Sequence, residues 1–277
     1  MFKIACVILA AVLAVPASAQ TLERIKETGE LKLGYRTDAA PLSFAEADGK
    51  PAGYSPQICV NVAQYIANRF MMEDLNVIFV PVDTSDRFDK VASGEIDLLC
   101  GASTITLERR ELVDFSVPTY VDGTAVMVPK GYDGGLESFA GKKVGVRAGT
   151  TTFDALTGSL ADAGIKADII AFDSHDAGLA AIEASQITAY FADQSILLFL
   201  YVSSDLQDTL KLSEEILTIE KQGLALARGD SDFRLVVDAA ISEMYFDGTM
   251  VEIFKTSLPG ISPGVAIQAM YLTSPTN

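Results

Sequence analysis

Short apolar runs and longer amphipathic stretches alternate along most of the chain, and the two spacings predict strands and helices in turn. LKLGYR, NVIFVPV and IDLLCG are compact and apolar, as strands buried between helices are. Between them, residues 55–70 and 86–93 repeat apolar positions at helical spacing, while TDAAPLSFAEADGKPAGY reads as a loop. The segment 130–141 is Gly-rich and turn-like, and GKKVGVRAGTTTFDAL then restarts the strand–loop–helix theme. DIIAF and ITAYF are the next strands, with a helix across DSHDAGLAAIEAS capped by Asp or Ser. Residues 217–227 form a return segment, and helices over 232–246 and 249–256 follow, split by Asp247-Gly248. The tail from Ser257 carries Pro and Gly with little periodicity, which predicts a loosely packed extension.

Strands alternating with helices predict a parallel sheet with right-handed crossovers. Such sheets bind ligands beyond the carboxyl ends of their strands. Arg36 follows the first strand, Thr84 and Arg87 the second, and Ala102, Thr104 and Arg109 the third, so one rim collects hydroxyls and three arginines. Arg109 offers a planar fork that matches a carboxylate. The bland alternative for Glu108, Arg109 and Arg110 is a solvated helix face.

Composition narrows the function. The 277 residues carry a formal net charge of −16, which argues against nucleic acid and against an anionic membrane surface. Residues 1–19 have a basic start, an apolar run too short for an ordinary span, and an Ala-Ser-Ala cleavage site. A cleaved signal peptide and a periplasmic location are therefore expected. Cys6 would leave with the signal, and Cys59 and Cys100 would remain in an oxidising compartment. They could form a disulfide or stay as two buried thiols.

The stretch DLLCGASTITLERRELVDFSVPTY, a strand followed by G-x-[ST]-T-x-T-x-E-R and then DFS-x-P, resembles the periplasmic amino-acid-binding proteins of ABC transporters, solute-binding family 3. The same pattern occurs in the ligand cores of ionotropic glutamate receptors. The resemblance runs over about residues 31–254 and implies an α/β, type II periplasmic binding protein fold. Two lobes, each a mixed and mainly parallel sheet flanked by helices, would face a ligand cleft. The expected division is 20–122 with 219–277 for the first lobe and 123–218 for the second.

The resemblance also implies roles. Arg109, with Thr104 and Ala102 nearby, would clamp the α-carboxylate of a free amino acid. Thr150 would add the second lobe's contact, although a Thr before a helix is equally an ordinary N-cap. Arg147 is at a position that faces the cleft in some members. Asp193 would pair with the α-ammonium, which needs an acid in a closed site. His175, the chain's only histidine, is at the turn that contacts ligand in acidic-amino-acid members; the alternative is a surface or capping role.

Basic-amino-acid binders carry an acid at the position of Arg36 and an aromatic platform at that of Thr84. This chain has neither. Arg36, Thr84, Arg87 and His175 together resemble the glutamate and aspartate binders, where such residues hold the side-chain carboxylate. Glutamine or another polar amino acid is the alternative ligand. A secreted cyclohexadienyl dehydratase on the same fold and a sensor module are alternative functions. The implied partner is a membrane permease of an ABC transporter; a monomer without cofactor or metal is expected.

Overall fold

The computed structural model describes residues 21–132, 135–213 and 215–276. The expected signal peptide lies outside these residues. In chain order, helix α1 (Thr21–Thr28) leads to strand β1 (Glu30–Arg36) and a small meander of β2 (Asp38–Ala39), β3 (Ser43–Ala45) and β4 (Pro51–Ala52). Then come α2 (Tyr54–Arg69), β5 (Asn76–Val82), α3 (Arg87–Ala92), β6 (Leu98–Cys100), β7 (Val113–Phe115), β8 (Tyr120–Asp122) and β9 (Thr124–Pro129). The chain continues through β10 (Lys143–Arg147), α4 (Thr151–Asp162), β11 (Asp168–Phe172), α5 (His175–Glu183), β12 (Ala189–Asp193), α6 (Gln194–Ser203) and β13 (Leu210–Leu212). It ends with β14 (Glu220–Gln222), β15 (Ala225–Ala227), α7 (Ser231–Asp247), α8 (Thr249–Ser257) and α9 (Val265–Thr273).

Two sheets form the centres of two lobes, ordered β5-β1-β6-β15-β7 and β11-β10-β12-β9-β13. In the first, β5, β1 and β6 are parallel and β15 runs against β6 and β7. In the second, β11, β10 and β12 are parallel and β9 runs against β12 and β13. Each sheet thus has one reversed strand, and in each it is the strand that enters just after the chain changes lobe. At the changeover β8 and β14 pair antiparallel, Glu220 opposite Asp122 and Gln222 opposite Tyr120.

Local chemistry accounts for the elements. The apolar positions of α2 (Ile58, Cys59, Val62, Ala63 and Ile66) recur at helical spacing and are buried against Leu31, Leu33 and Leu98 of the first sheet. Gly53, at φ +109°, opens that helix where a Cβ would come within 2.7 Å of the Pro41 carbonyl oxygen, so only glycine fits. Helix α5 is capped by Ser174, whose hydroxyl accepts from Ala177 N at 3.1 Å. Cys59 and Cys100 are bonded, S–S 2.10 Å, tying α2 to the end of β6.

Three local expectations change. The turn after Glu108 is only a 3₁₀ turn, Arg109–Glu111, because the strand Val113–Phe115 follows at once. The strand expected over ITAYF starts later, at Ala189, and ends on Asp193 itself. The tail is not loose. Its helix α9 buries Ile267 and Met270 in the first lobe's core, Tyr271 packs against Tyr245 with ring centroids 5.4 Å apart, and Thr276 N donates to Ser242 Oγ. That apolar side offsets the Pro and Gly on either flank.

Candidate functional site

The carboxyl ends of β1, β5 and β6 in one lobe face those of β10 and β12 in the other. The cleft between them is lined by Arg36, Arg87, Ala102, Thr104 and Arg109 from the first, and by Arg147, Thr150, His175 and Asp193 from the second. Thr151, Thr152, Ala192 and Ile196, which the sequence did not single out, complete the wall. Thr84 stands apart. Its hydroxyl donates to Asp83 at 2.9 Å, and it packs on the turn at Gly149, where a Cβ would meet it at 3.2 Å. Gly149 has φ +67°, so this close approach also favours glycine.

The lobes touch through polar groups. Arg147 Nε donates to Asp38 Oδ2 at 2.9 Å and its Nη2 to Asp83 at 3.1 Å. Arg87 Nη2 donates to Gly149 O at 3.2 Å, and the hydroxyls of Thr104 and Thr151 are 3.2 Å apart. Both hydroxyls also donate to Glu220 Oε2, at 2.6 and 2.7 Å, and Thr218 and Thr124 donate to its other oxygen. Burial works against the charge of Glu220, but these hydroxyl bonds hold its carboxyl below the usual range.

The four guanidiniums differ in what they touch. Arg36 donates to Asp38 Oδ1 from Nε at 2.8 Å, and Arg147 is held by Asp38 and Asp83. Arg109 donates to Thr104 O at 2.9 Å and stacks over the Phe88 ring at 5.0 Å. Arg87 is different: it is 2% exposed, yet its Nε and Nη1 have no partner. Burial, then Arg36 and Arg109 nearby, push its pKa well down, although a guanidinium remains charged at neutral pH.

Asp193 is the complementary feature. Burial, and then the negative charges of Asp122 and Glu220, raise its pKa to about 8, against the opposing effect of Arg36 and the Thr152 bond. Its oxygens accept from Thr152 Oγ1 at 3.3 Å and Gln222 Nε2 at 2.8 Å. A carboxyl in that state lacks a cation. His175 is buried, and burial, then Arg36, lower its pKa to about 3, with Asp38 opposing and Arg147 assisting. It is therefore a neutral ring, bonded at Nδ1 to the Tyr190 hydroxyl at 3.0 Å, with Nε2 buried and unpartnered. Thr150 realises the capping alternative, its hydroxyl accepting from Phe153 N at 3.3 Å, while also lining the cleft.

The cleft thus presents unpaired guanidinium donors from one lobe and, from the other, a carboxyl with no ion pair, a pattern suited to a small zwitterion. The model of the bacterial extracellular solute-binding proteins, family 3, matches residues 31–259. The chain belongs to this family. Among family 3 relatives, an L-glutamate/L-aspartate-binding protein of Pseudomonas aeruginosa is 30% identical over 253 residues, covering 89% of this chain and 84% of that protein. An L-cystine-binding protein of Escherichia coli is 28% identical, covering 83% of this chain and 82% of that one. In structure, an ancestral arginine-binding protein bound to arginine aligns with a TM-score of 0.74 at 29% identity, covering 83% of this chain and 98% of the other. These comparisons and the two-sheet architecture give the type II periplasmic binding protein fold.

Among the described residues no helix is long and apolar enough to cross a membrane, and no group of three or more His, Cys, Asp or Glu could hold a metal ion.

Proposed function

We propose that this family 3 protein is a periplasmic receptor that captures a free acidic L-amino acid by lobe closure and hands it to the permease of an ABC transporter. The observation that carries the acidic ligand is Arg87, a buried guanidinium with two donor nitrogens unpaired at the cleft wall. Leaving such donors unpaired costs free energy, and a ligand carboxylate would satisfy them.

In this reading Arg109, with Thr104 and Thr150, holds the α-carboxylate, and Asp193 takes the α-ammonium. The side-chain carboxylate reaches Arg87, helped by Arg36 and by the free Nε2 of His175, acting as a neutral group rather than as a cation. The first lobe (20–122 with 219–277) supplies the arginines and the second (123–218) supplies Thr150, His175 and Asp193, so a bound amino acid bridges the two and favours the closed state. An arginine or lysine side chain would meet Arg87 and Arg36 and be repelled. A dehydratase would need a general acid in the cleft; Asp193 gives up its proton to become the ammonium's partner, which leaves none among the lining residues described.

The second reading, glutamine or another polar amino acid, is favoured by Asp38, which already occupies Arg36. Calorimetric titration with glutamate, aspartate, glutamine, lysine and leucine separates the two. Tightest binding should be to an acid; tighter binding of glutamine or leucine than of both acids would refute the acidic ligand and leave the α-group site intact.

A further inference from the structure

Asp38 does not line the cleft, yet it holds two of the arginines that do. We propose that Asp38 sets the side-chain charge of the ligand by compensating the charge of two of the arginines that line the cleft. The inference rests on the amino-acid reading of the cleft, but not on the ligand being acidic.

Asp38 lies on the short strand β2, two residues after Arg36. One of its oxygens accepts from Arg36 Nε at 2.8 Å and the other from Arg147 Nε at 2.9 Å. Both guanidiniums line the cleft and both are 2% exposed. An internal carboxylate therefore stands where a second ligand anion would otherwise be drawn. Burial opposes its ionisation, but Arg36, then Arg147, hold its carboxyl below the usual range, so it is charged at neutral pH.

Pair by pair, the remaining charge is small. Arg36 is matched by Asp38, and Arg147 by Asp38 and Asp83. His175 adds a neutral ring nitrogen. Arg87 alone, of the cations at this end, has no acidic partner, and its Nε and Nη1 are buried without partners. One free guanidinium corresponds to one side-chain carboxylate. Without Asp38 the same end would hold more uncompensated positive charge and would favour a more anionic side chain.

Asp38 also joins the lobes through Arg147, so its loss should weaken closure for every ligand alike. The ratio of affinities removes that shared effect and keeps the charge effect. The experiment is calorimetry on the intact protein with glutamine, glutamate and O-phospho-L-serine, whose side chains carry none, one and about two negative charges at neutral pH. In Asp38→Asn, preference should move by about tenfold or more toward the more anionic member of each pair, as expected for one unit charge lost beside the site. Asp38→Glu, which keeps the charge, should retain the parental ratios. Asp83→Asn, which removes an outer acid from Arg147 only, should change them by less than about threefold. Thermal melting verifies that each variant is folded, and Asp38→Ala serves if the asparagine form is not.

Unchanged ratios in a folded charge-removing variant would overturn the proposal. So would an equal shift in Asp83→Asn, because the effect would then be diffuse rather than seated at Asp38. A parent that prefers glutamine to glutamate would end the acidic-ligand reading, yet Asp38→Asn should still shift that ratio toward glutamate. A parent that prefers glutamate with an unmoved variant leaves that reading standing and ends this one.

Discussion

Replacing Arg87 by methionine should give a protein of similar or greater stability than the parent that no longer responds to its ligand. Arg87 is 2% exposed, and its Nε and Nη1 are buried without partners. Each such unmet donor costs about 1–3 kcal/mol, so removing both relieves about 2–6 kcal/mol. Against this, the variant loses the bond from Nη2 to Gly149 O at 3.2 Å and the stacking over Phe88 at 4.8 Å. Those contacts are together worth about 2–3 kcal/mol. The balance runs from about 1 kcal/mol against the variant to roughly 4 kcal/mol in its favour, and methionine fills the space with a flexible apolar chain. Each kcal/mol moves the melting midpoint by about 2–4 °C in a protein of this size. Glutamate, which should raise the parent's midpoint by an amount that grows with the logarithm of its affinity, should leave the variant's nearly unmoved, since losing a desolvated charge partner costs about 2–5 kcal/mol. Scanning calorimetry with and without glutamate reads both effects. A ligand-free midpoint more than about 4 °C below the parent's, on the same scaling, would mean that Arg87 is a structural residue and the reasoning is wrong. So would glutamate affinity kept within about threefold, far short of the loss expected for a desolvated partner.

Two further outcomes follow from the α-group end of the cleft. The folded state holds the Asp193 proton up to about pH 8, against 3.8 for an ordinary aspartate, so its contribution to stability is present at low pH and is lost as pH rises through about 8. An ammonium reverses this, so binding at pH 6.5 should release close to one proton per ligand and markedly less at pH 8.5; titration in buffers of different ionisation heat measures it, and no buffer dependence at pH 6.5 would refute the pairing. Arg109→Ala should remain folded, since its ligand-free contacts are a bond to Thr104 O and stacking on Phe88. Its affinity should fall about 30- to several-thousand-fold, and binding within about threefold of the parent would displace Arg109 from the α-carboxylate.

The strand and helix order could be read in advance because buried parallel strands and their crossover helices leave different apolar periods. Helix α6 could not. Its run SILLFLYV is apolar on every side, so no stripe marks it as helical. Helix α9 was hidden by the Pro and Gly around it, and only its docking on the first lobe gives it a buried side. The cations of the cleft were legible as residues at strand exits, a matter of local order. Their acidic partners were not. Asp38 and Asp83 resemble any solvated loop acid until the opposite lobe brings Arg147 to them, and Glu220 acquires its ring of threonine hydroxyls from segments as far away as Thr104. Thr84 was misplaced for the same reason: position at a strand end does not say which way a hydroxyl turns, and this one turns to Asp83.

The order of strands in the first sheet has a consequence for how the polypeptide is made. Strand β15 lies between β6 and β7, although more than a hundred residues separate it in sequence from either. Until that late strand emerges, β6 and β7 cannot be joined, and each exposes a row of unmet backbone groups. The first lobe is therefore completed only after the whole second sheet has been synthesised. A nascent chain of this kind stays unfinished for most of its passage from the ribosome.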